Sequence, residues 1–396
     1  MKYIINRETD PAGGSVLCSY LLDERGKAIE IRKTAEGWQD QNRFRTGSIF
    51  IGMVTKVAAN LDAVFVDIAP GRNCYLPAHA IKHPLYAKKG PSALIAQGDQ
   101  VVVQLAKEGT HLKSPALTTE FTLPGYAAVL VRSGRNGISR RISDPEKKEA
   151  LKKMAAEHAP AGYALVMRTR SADLPKEDIL SEMDKLREKA ASIEKRAVHA
   201  LCYTCLYEAA APYLQSLLSL PAGTEILTEE QALYEAVCVF LQEHCPVLLP
   251  GVHLYQDRLL PMAKSFCLER EMWEATDDRV WLKSGAFLIV SYTEALTVFD
   301  VNSGKAVPSK KKSREEVVLS VNLEAAAECM RQLRLRNLSG IILIDFINME
   351  TEGAKEQLMD TLQCLAVHDP AGVKVVDMTP LGIVEMTRKR EGERLQ

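Results

Sequence analysis

The chain has 396 residues, 46% of them hydrophobic, so it can bury more than one core and is expected to hold roughly two to four modules. Its 50 basic and 51 acidic residues cancel to a net charge of −1, which excludes a uniformly basic surface; a polyanion would have to be met by a local stripe. Residues 1–10 are too polar for a secretory leader and no apolar run approaches bilayer length, so nine cysteines are expected as reduced thiols in a cytoplasmic protein without a membrane anchor.

In chain order, residues 15–22 and 27–32 are β-rich and flank a turn at Asp23-Glu24-Arg25-Gly26, which predicts a hairpin. From Gly47 short strands follow closely, at 49–57, 63–68, 74–77 and 100–106, with turns at Gly71-Arg72-Asn73 and Gly98-Asp99. That spacing predicts a small barrel. Alternation lets Phe65 face either way, and flanking by Val64 and Val66 favours a core position on pattern alone. Residues 163–169 read as a strand ending in Arg168-Thr169, whose guanidinium and hydroxyl suit an oxyanion, although surface ion pairing is the ordinary reading of such a pair.

Residues 176–208 read as one or two long helices with alternating charge. Cys202 and Cys205 form a C-x-x-C inside this apolar, helical-looking stretch. With no second pair at zinc-ribbon spacing, they read as incidental cysteines. Residues 213–275 mix a helix at 229–243 with a strand at 252–255. Beyond 276, strands at 286–292, 296–301, 340–346 and 373–376 alternate with helices at 322–335 and 353–366, the pattern of an α/β sheet.

Two of these strands end alike, in Leu296-Thr297-Val298-Phe299-Asp300-Val301-Asn302 and in Gly340-Ile341-Ile342-Leu343-Ile344-Asp345-Phe346-Ile347-Asn348. A carboxylate delivered out of a buried strand is costly unless it is paired, hydrogen-bonded or bound to a cation. Brought together by neighbouring strands, Asp300 and Asp345 would form a buried, mutually repulsive pair that a hard divalent cation relieves, and oxygen-only ligation suits Mg²⁺ or Mn²⁺. Either run alone is equally well read as a carboxylate capping the next turn. Basic clusters follow both aspartates: Lys305, Lys310, Lys311, Lys312 and Arg314 after the first, and Arg388, Lys389 and Arg390 after the second.

The strings T-E-A-L-T-V-F-D-V-N-S-G-K (293–305), N-L-E-A-A-A-E (322–328), R-Q-L-R-L-R-N-L-S-G-I-I-L-I-D-F-I-N-M (331–349) and P-L-G-I-V-E-M-T-R-K-R (380–390) resemble the catalytic half of the ribonuclease E/G family. G-S-I-F-I-G-M-V-T-K-V, D-A-V-F-V-D-I and N-C-Y-L-P, within residues 47–77, resemble the S1-type OB-fold embedded in that family. The resemblance implies a multidomain α+β and α/β fold. Residues 1–45 and 213–275 would form an RNase H-like subdomain, with an OB barrel (46–124) and a 5′-sensor region (125–212) inserted. A DNase I-like catalytic subdomain (276–396) would follow.

It implies a Mg²⁺-dependent endoribonuclease that cuts single-stranded, A/U-rich RNA and leaves 5′-phosphate and 3′-hydroxyl ends. Asp300 and Asp345 would hold the metal, Asn302 would support the site, and Lys305, Arg388 and Lys389 are candidates for stabilising added negative charge. Phe65, Tyr75 and Lys113 match the barrel's RNA contacts, with Tyr75 in place of the usual phenylalanine. Arg168 and Thr169 match the grip on a 5′-monophosphate. After Arg390 only six residues follow here, without the C-P-x-C zinc-link and small domain of longer members. No structural zinc is therefore expected, as in a short ribonuclease G-like form, and the oligomeric state is left open. The rival expectations are an RNA-binding or assembly factor that keeps the fold without turnover, and a Mg²⁺-dependent DNA nuclease.

Overall fold

The computed structural model describes residues 1–9, 13–35, 44–109, 114–257, 259–293, 295–305, 313–390 and 394–395. The chain divides into two units: residues 1–35, 223–236 and 250–396 form one, and residues 36–222 and 237–249 the other.

The first unit holds two sheets. One has five strands in the order Val252–Leu254, Glu225–Thr228, Lys2–Thr9, Ser15–Leu22, Ala28–Ala35. Its first three strands in sequence are antiparallel neighbours, and the other two add in parallel. The predicted hairpin is here, its turn closed by Asp23, which accepts the backbone N–H groups of Arg25 and Lys27, while Gly26 supplies φ +79°. Ile4, Tyr20, Leu22 and Ile31 pack with Met262 and Leu268 beneath it.

The other sheet has six strands in the order Arg279–Trp281, Phe287–Tyr292, Leu296–Asn302, Gly340–Asp345, Ile383–Arg388, Val373–Met378. Every pairing is antiparallel except that between Leu296–Asn302 and Gly340–Asp345. A parallel pair needs a long crossover, and the helix Arg314–Leu335 lies within it. This helix begins well before the expected residue 322, because Ser313 and Glu316 form a reciprocal capping box at its first turn. Together with the helix Glu352–Val367 it covers one face of the sheet. Leu288, Val290, Phe299, Val301, Ile342, Ile344, Val384 and Met386 are buried there against Ala325, Cys329, Leu333, Leu358 and Leu362. Strand alternation therefore sends the intervening residues to the opposite, open face.

In the second unit five strands close into an OB-like barrel: Ile49–Ala58, Ala63–Ala69, Arg72–Pro77, Ala116–Thr118 and Gln100–Lys107, the last pairing back with the first. Gly52 lets the strands approach, since a Cβ there would lie 2.4 Å from Val66 Cγ1. A four-stranded sheet, Thr122–Pro124, Ala128–Arg132, Tyr163–Met167, Gly137–Ile138, packs with the helices Pro145–His158 and Lys176–His199.

The C-x-x-C segment is not helical as expected. The helix stops at His199, Tyr203 takes φ +70°, and Cys205–Tyr207 pairs antiparallel with Ile49–Ala58. Arg196 fixes this exit by donating to the carbonyls of Leu206 and Cys205. All nine cysteines are free thiols.

Candidate active site

Asp300 and Asp345 stand directly opposite each other in the parallel register of their two strands. Neighbouring strands run about 4.8 Å apart, so the two carboxylates rise side by side. Both are exposed, contrary to the expected buried pair, because Phe299, Val301, Ile344 and Phe346 take the buried positions of the alternation. Asn302, two residues along the same face, donates from Nδ2 to Asp300 Oδ2 at 2.9 Å. That bond fixes one carboxylate. No group of three or more His, Cys, Asp or Glu side chains converges at metal-binding distance among the described residues. The two carboxylates are hard oxygen donors, and such a pair would suit Mg²⁺ that keeps several waters.

The loop after Asp345 is held from below by a side chain to which the sequence reading assigned no role. Asn322, wholly buried in the long helix, donates from Nδ2 to Ile347 O at 2.7 Å and accepts Ile347 N–H at 3.1 Å. Glu315, near the start of the same helix, accepts the N–H groups of Glu350 and Thr351 and the Thr351 hydroxyl. The loop after Asn302 is tied as well: Lys305 N–H donates to Gly285 O at 3.0 Å. Gly304, at φ +50°, is needed there because a Cβ would lie 2.4 Å from Gly285 O. Lys305 itself is exposed, three residues past Asn302 at the carboxylate end of the sheet.

Arg388 and Lys389 do not join this constellation. Arg388 ends a strand that was not among the expected elements, and alternation places it with Val384 and Met386 on the helix-covered face. Its guanidinium is buried and forks onto Asp369, with further bonds to Asn337 Oδ1 and Leu338 O. These partners make Arg388 a clamp between the strand and the turn at Asp369, while the expected role in stabilising added charge would need it to reach the site. Lys389 is exposed, but Arg388 pairs with Gly340, five residues before Asp345. Lys389, one residue further on, is thus six residues from the aspartates, roughly 20 Å along the strand at about 3.3 Å per residue. Lys310, Lys311, Lys312 and Lys113 lie outside the described residues.

In the barrel, Phe65 and Tyr75 are cross-strand neighbours with ring centroids 6.2 Å apart, edge to face. Both are half-exposed, while Val64, Val66, Cys74 and Leu76 fill the interior. The core position that pattern alone favoured for Phe65 is therefore excluded, and the pair forms an outward aromatic step. In the four-stranded sheet, Arg168 donates to Gly125 O at 2.8 Å and Ser219 Oγ at 3.0 Å, and the Thr169 hydroxyl is 2.8 Å from Ser139 Oγ. Glu182 accepts the N–H groups of Ala127 and Ala128 beside them. Burial raises its pKa, and these N–H bonds and Arg168 offset part of that.

A closed OB-like barrel in one unit and an open-faced sheet bearing in-register aspartates in the other define a mixed α/β protein. The family model described as the Ribonuclease E/G family matches residues 122–391, and the chain belongs to that family. It is 34% identical over 360 residues to ribonuclease E of Nostoc sp., covering 88% of this chain and 52% of that protein. It is 30% identical over 372 residues to ribonuclease G of Escherichia coli K12, covering 90% of this chain and 75% of that protein. Ribonuclease E of Synechocystis sp. is 32% identical over 361 residues, 89% of this chain and 53% of that protein. The chain thus spans about half the length of the ribonuclease E relatives and three quarters of ribonuclease G. No helix among the described residues is long and apolar enough to cross a membrane.

Proposed function

We propose that the chain is a Mg²⁺-dependent endoribonuclease of RNA processing or decay, specific for single strands and acting in the cytoplasm. The observation that carries this reading is the parallel register of Asp300 with Asp345, with Asn302 bonded to the first. Asp300 and Asp345 would hold Mg²⁺, or Mn²⁺ in its place. When bound, the cation supplies Lewis-acid polarisation of the scissile phosphate and a more acidic water. Asn302 keeps the Asp300 carboxylate turned toward its partner, and Asn322 holds the chain that follows Asp345. Lys305, exposed at the same end of the sheet, would offset charge that builds on the phosphate oxygens. Water adds to phosphorus and the 3′ oxygen leaves with a proton, giving a 5′-phosphate and a 3′-hydroxyl.

Outward-facing Phe65 and Tyr75 would stack unpaired bases of A/U-rich RNA, with Lys113 contributing a phosphate contact. Arg168 and Thr169 would receive a 5′-monophosphate, the guanidinium exchanging its Ser219 bond for phosphate oxygens. The five-stranded sheet of the first unit serves in this reading as the RNase H-like scaffold, and the six-stranded sheet as the DNase I-like catalytic part.

The test is incubation of the purified chain with a short unstructured A/U-rich RNA, 5′-monophosphorylated or 5′-hydroxylated, with Mg²⁺ or EDTA. The expected result is Mg²⁺-dependent cleavage to 5′-phosphorylated products, faster on the monophosphate, and none with Asp345→Asn. Tight binding without cleavage by the unsubstituted chain would refute the catalytic reading, and equal cutting of DNA of the same sequence would refute the RNA specificity.

A further inference from the structure

The open face of the six-stranded sheet continues past the aspartates into an aromatic cluster that none of the roles above uses. Phe287 is directly opposite Asn302 in the register, and Trp281 is directly opposite Phe287. Asp300, Asn302, Phe287 and Trp281 therefore project from one face, with Trp281 two strand spacings, roughly 10 Å, from the Asp300 strand. The Trp281 and Phe287 rings lie 5.3 Å apart at 54°. Arg279, on the same face, sets its guanidinium 4.7 Å from the Phe287 ring centre and 5.8 Å from that of Trp281.

Three features set this cluster apart from an ordinary strand edge. Trp281 is 58% exposed although its neighbours Val280 and Leu282 are buried, so a large aromatic surface is left in water. Arg279 makes ring contacts, and no carboxylate pairs with its guanidinium among the described residues. The cluster is also braced from the aspartate side. The Gly304 backbone lies so close that a Cβ would stand 3.3 Å from Phe287 Cδ1, and Lys305 N–H anchors that loop to Gly285 O. A rigid aromatic step with an unneutralised guanidinium beside it matches one ligand chemistry, a flat base carrying a phosphate.

We propose that Arg279, Trp281 and Phe287 form a stacking subsite for the base and phosphate of a single-stranded RNA nucleotide next to the scissile phosphate. This rests on the reading of Asp300 and Asp345 as the catalytic carboxylates. The base stacks on the exposed indole, and the guanidinium meets the flanking phosphate. The strand is thereby held on the same face as the carboxylates, so single-strandedness is read beside the chemistry.

The test uses Asp345→Asn chain and a set of short RNAs, each with one abasic nucleotide at a successive position around the cleavage site. Binding is compared with and without Trp281→Ala. At one position the abasic change is expected to weaken binding roughly 10-fold when Trp281 is present and not at all in Trp281→Ala, with Trp281→Phe restoring most of the difference. Abasic losses that are the same at every position with and without Trp281 would overturn the subsite. Cleavage by the unsubstituted chain is read separately. Cleavage without the Trp281 coupling sinks the subsite alone, and coupling without cleavage sinks the catalytic reading while the subsite stands as an RNA-binding surface.

Discussion

Arg388 Nε lies 3.1 Å from both carboxylate oxygens of Asp369, and the two side chains are only 3% and 2% exposed. Asp369 also accepts the N–H groups of Ala371 and Gly372, so the pair welds the turn after the helix Glu352–Val367 to the last residue of the strand Ile383–Arg388. Removing one partner of a buried ion pair costs about 3–5 kcal/mol, mostly the penalty of stranding the other charge. Arg388→Ala is expected at the lower end, because two backbone donors still hold Asp369. Urea unfolding should show that loss, while the folded fraction keeps its turnover. An Arg388→Ala chain of undiminished stability and lost cleavage would return Arg388 to the chemistry.

Asn302→Ala removes an amide that donates to Asp300 and orients it. Loss of a partner that orients a metal ligand typically weakens the metal about 10–100-fold. The Mg²⁺ concentration giving half-maximal cleavage is expected to rise within that range, with turnover largely recovered at saturating Mg²⁺. An unchanged Mg²⁺ dependence would show that Asp300 needs no such support.

Asn322→Ala leaves both the N–H and the carbonyl of the half-buried Ile347 without their partner. An unsatisfied buried group costs about 1–3 kcal/mol. The substitution should therefore lower stability and, by loosening the chain two residues past Asp345, lower kcat while leaving RNA affinity nearly unchanged. A kcat that survives in the folded fraction would make Asn322 purely a packing residue.

Much of this centre was legible in the sequence because two apolar runs end in the same polar signature, and such a match points to neighbouring strands. Strand alternation decides the burial of the pair. In Thr297-Val298-Phe299-Asp300-Val301-Asn302, Phe299 and Val301 claim the core, so Asp300 had to face outward, and the expected buried pair is an exposed one. The same rule, applied to Ile383-Val384-Glu385-Met386-Thr387-Arg388, puts Arg388 inside with Val384 and Met386. The basic triplet Arg388-Lys389-Arg390, taken without alternation, points to a phosphate contact instead. Ser313 and Glu316 spell a capping box that marks the helix start. The Asp369 partner of Arg388 and the Ile347 partner of Asn322 were beyond reach, because tertiary packing alone brings those residues together.

Phe65→Ala should separate binding from folding in the barrel. The ring is half-exposed and its only ring neighbour is Tyr75 among the described residues, so stability is expected to change little. Stacking of a base on such a ring is worth about 1–3 kcal/mol. Affinity for a short unpaired RNA should fall by that amount while Tm holds. A large fall in Tm with unchanged affinity would mean that the ring serves the barrel and not the ligand.

Acid should unpick the first unit through Glu30 and Glu328. Burial works to raise the pKa of both carboxyls, yet both are held below the usual 4.5, Glu30 by Arg32 and Arg334 and Glu328 by Arg331 and Gln332. The bonds are close: Arg32 Nε and Arg334 Nε reach Glu30 at 2.7 and 3.0 Å, and Arg331 Nη2 reaches Glu328 at 2.7 Å. A carboxyl whose pKa is lower in the folded chain contributes stability that is complete above its unfolded value. That contribution is lost as pH falls through the folded value. Stability against urea should therefore be flat with respect to these two groups above about pH 4.5 and decline below it. Glu30→Gln removes a charge bonded to two guanidinium groups, and hydrogen bonds to charged groups are worth about 1.5–3 kcal/mol. The variant should lose stability on that order at pH 7, and its curve should fall less steeply below pH 4.5 than that of the unsubstituted chain. Parallel curves, displaced but equal in slope, would show that Glu30 is not among the groups that acid titrates.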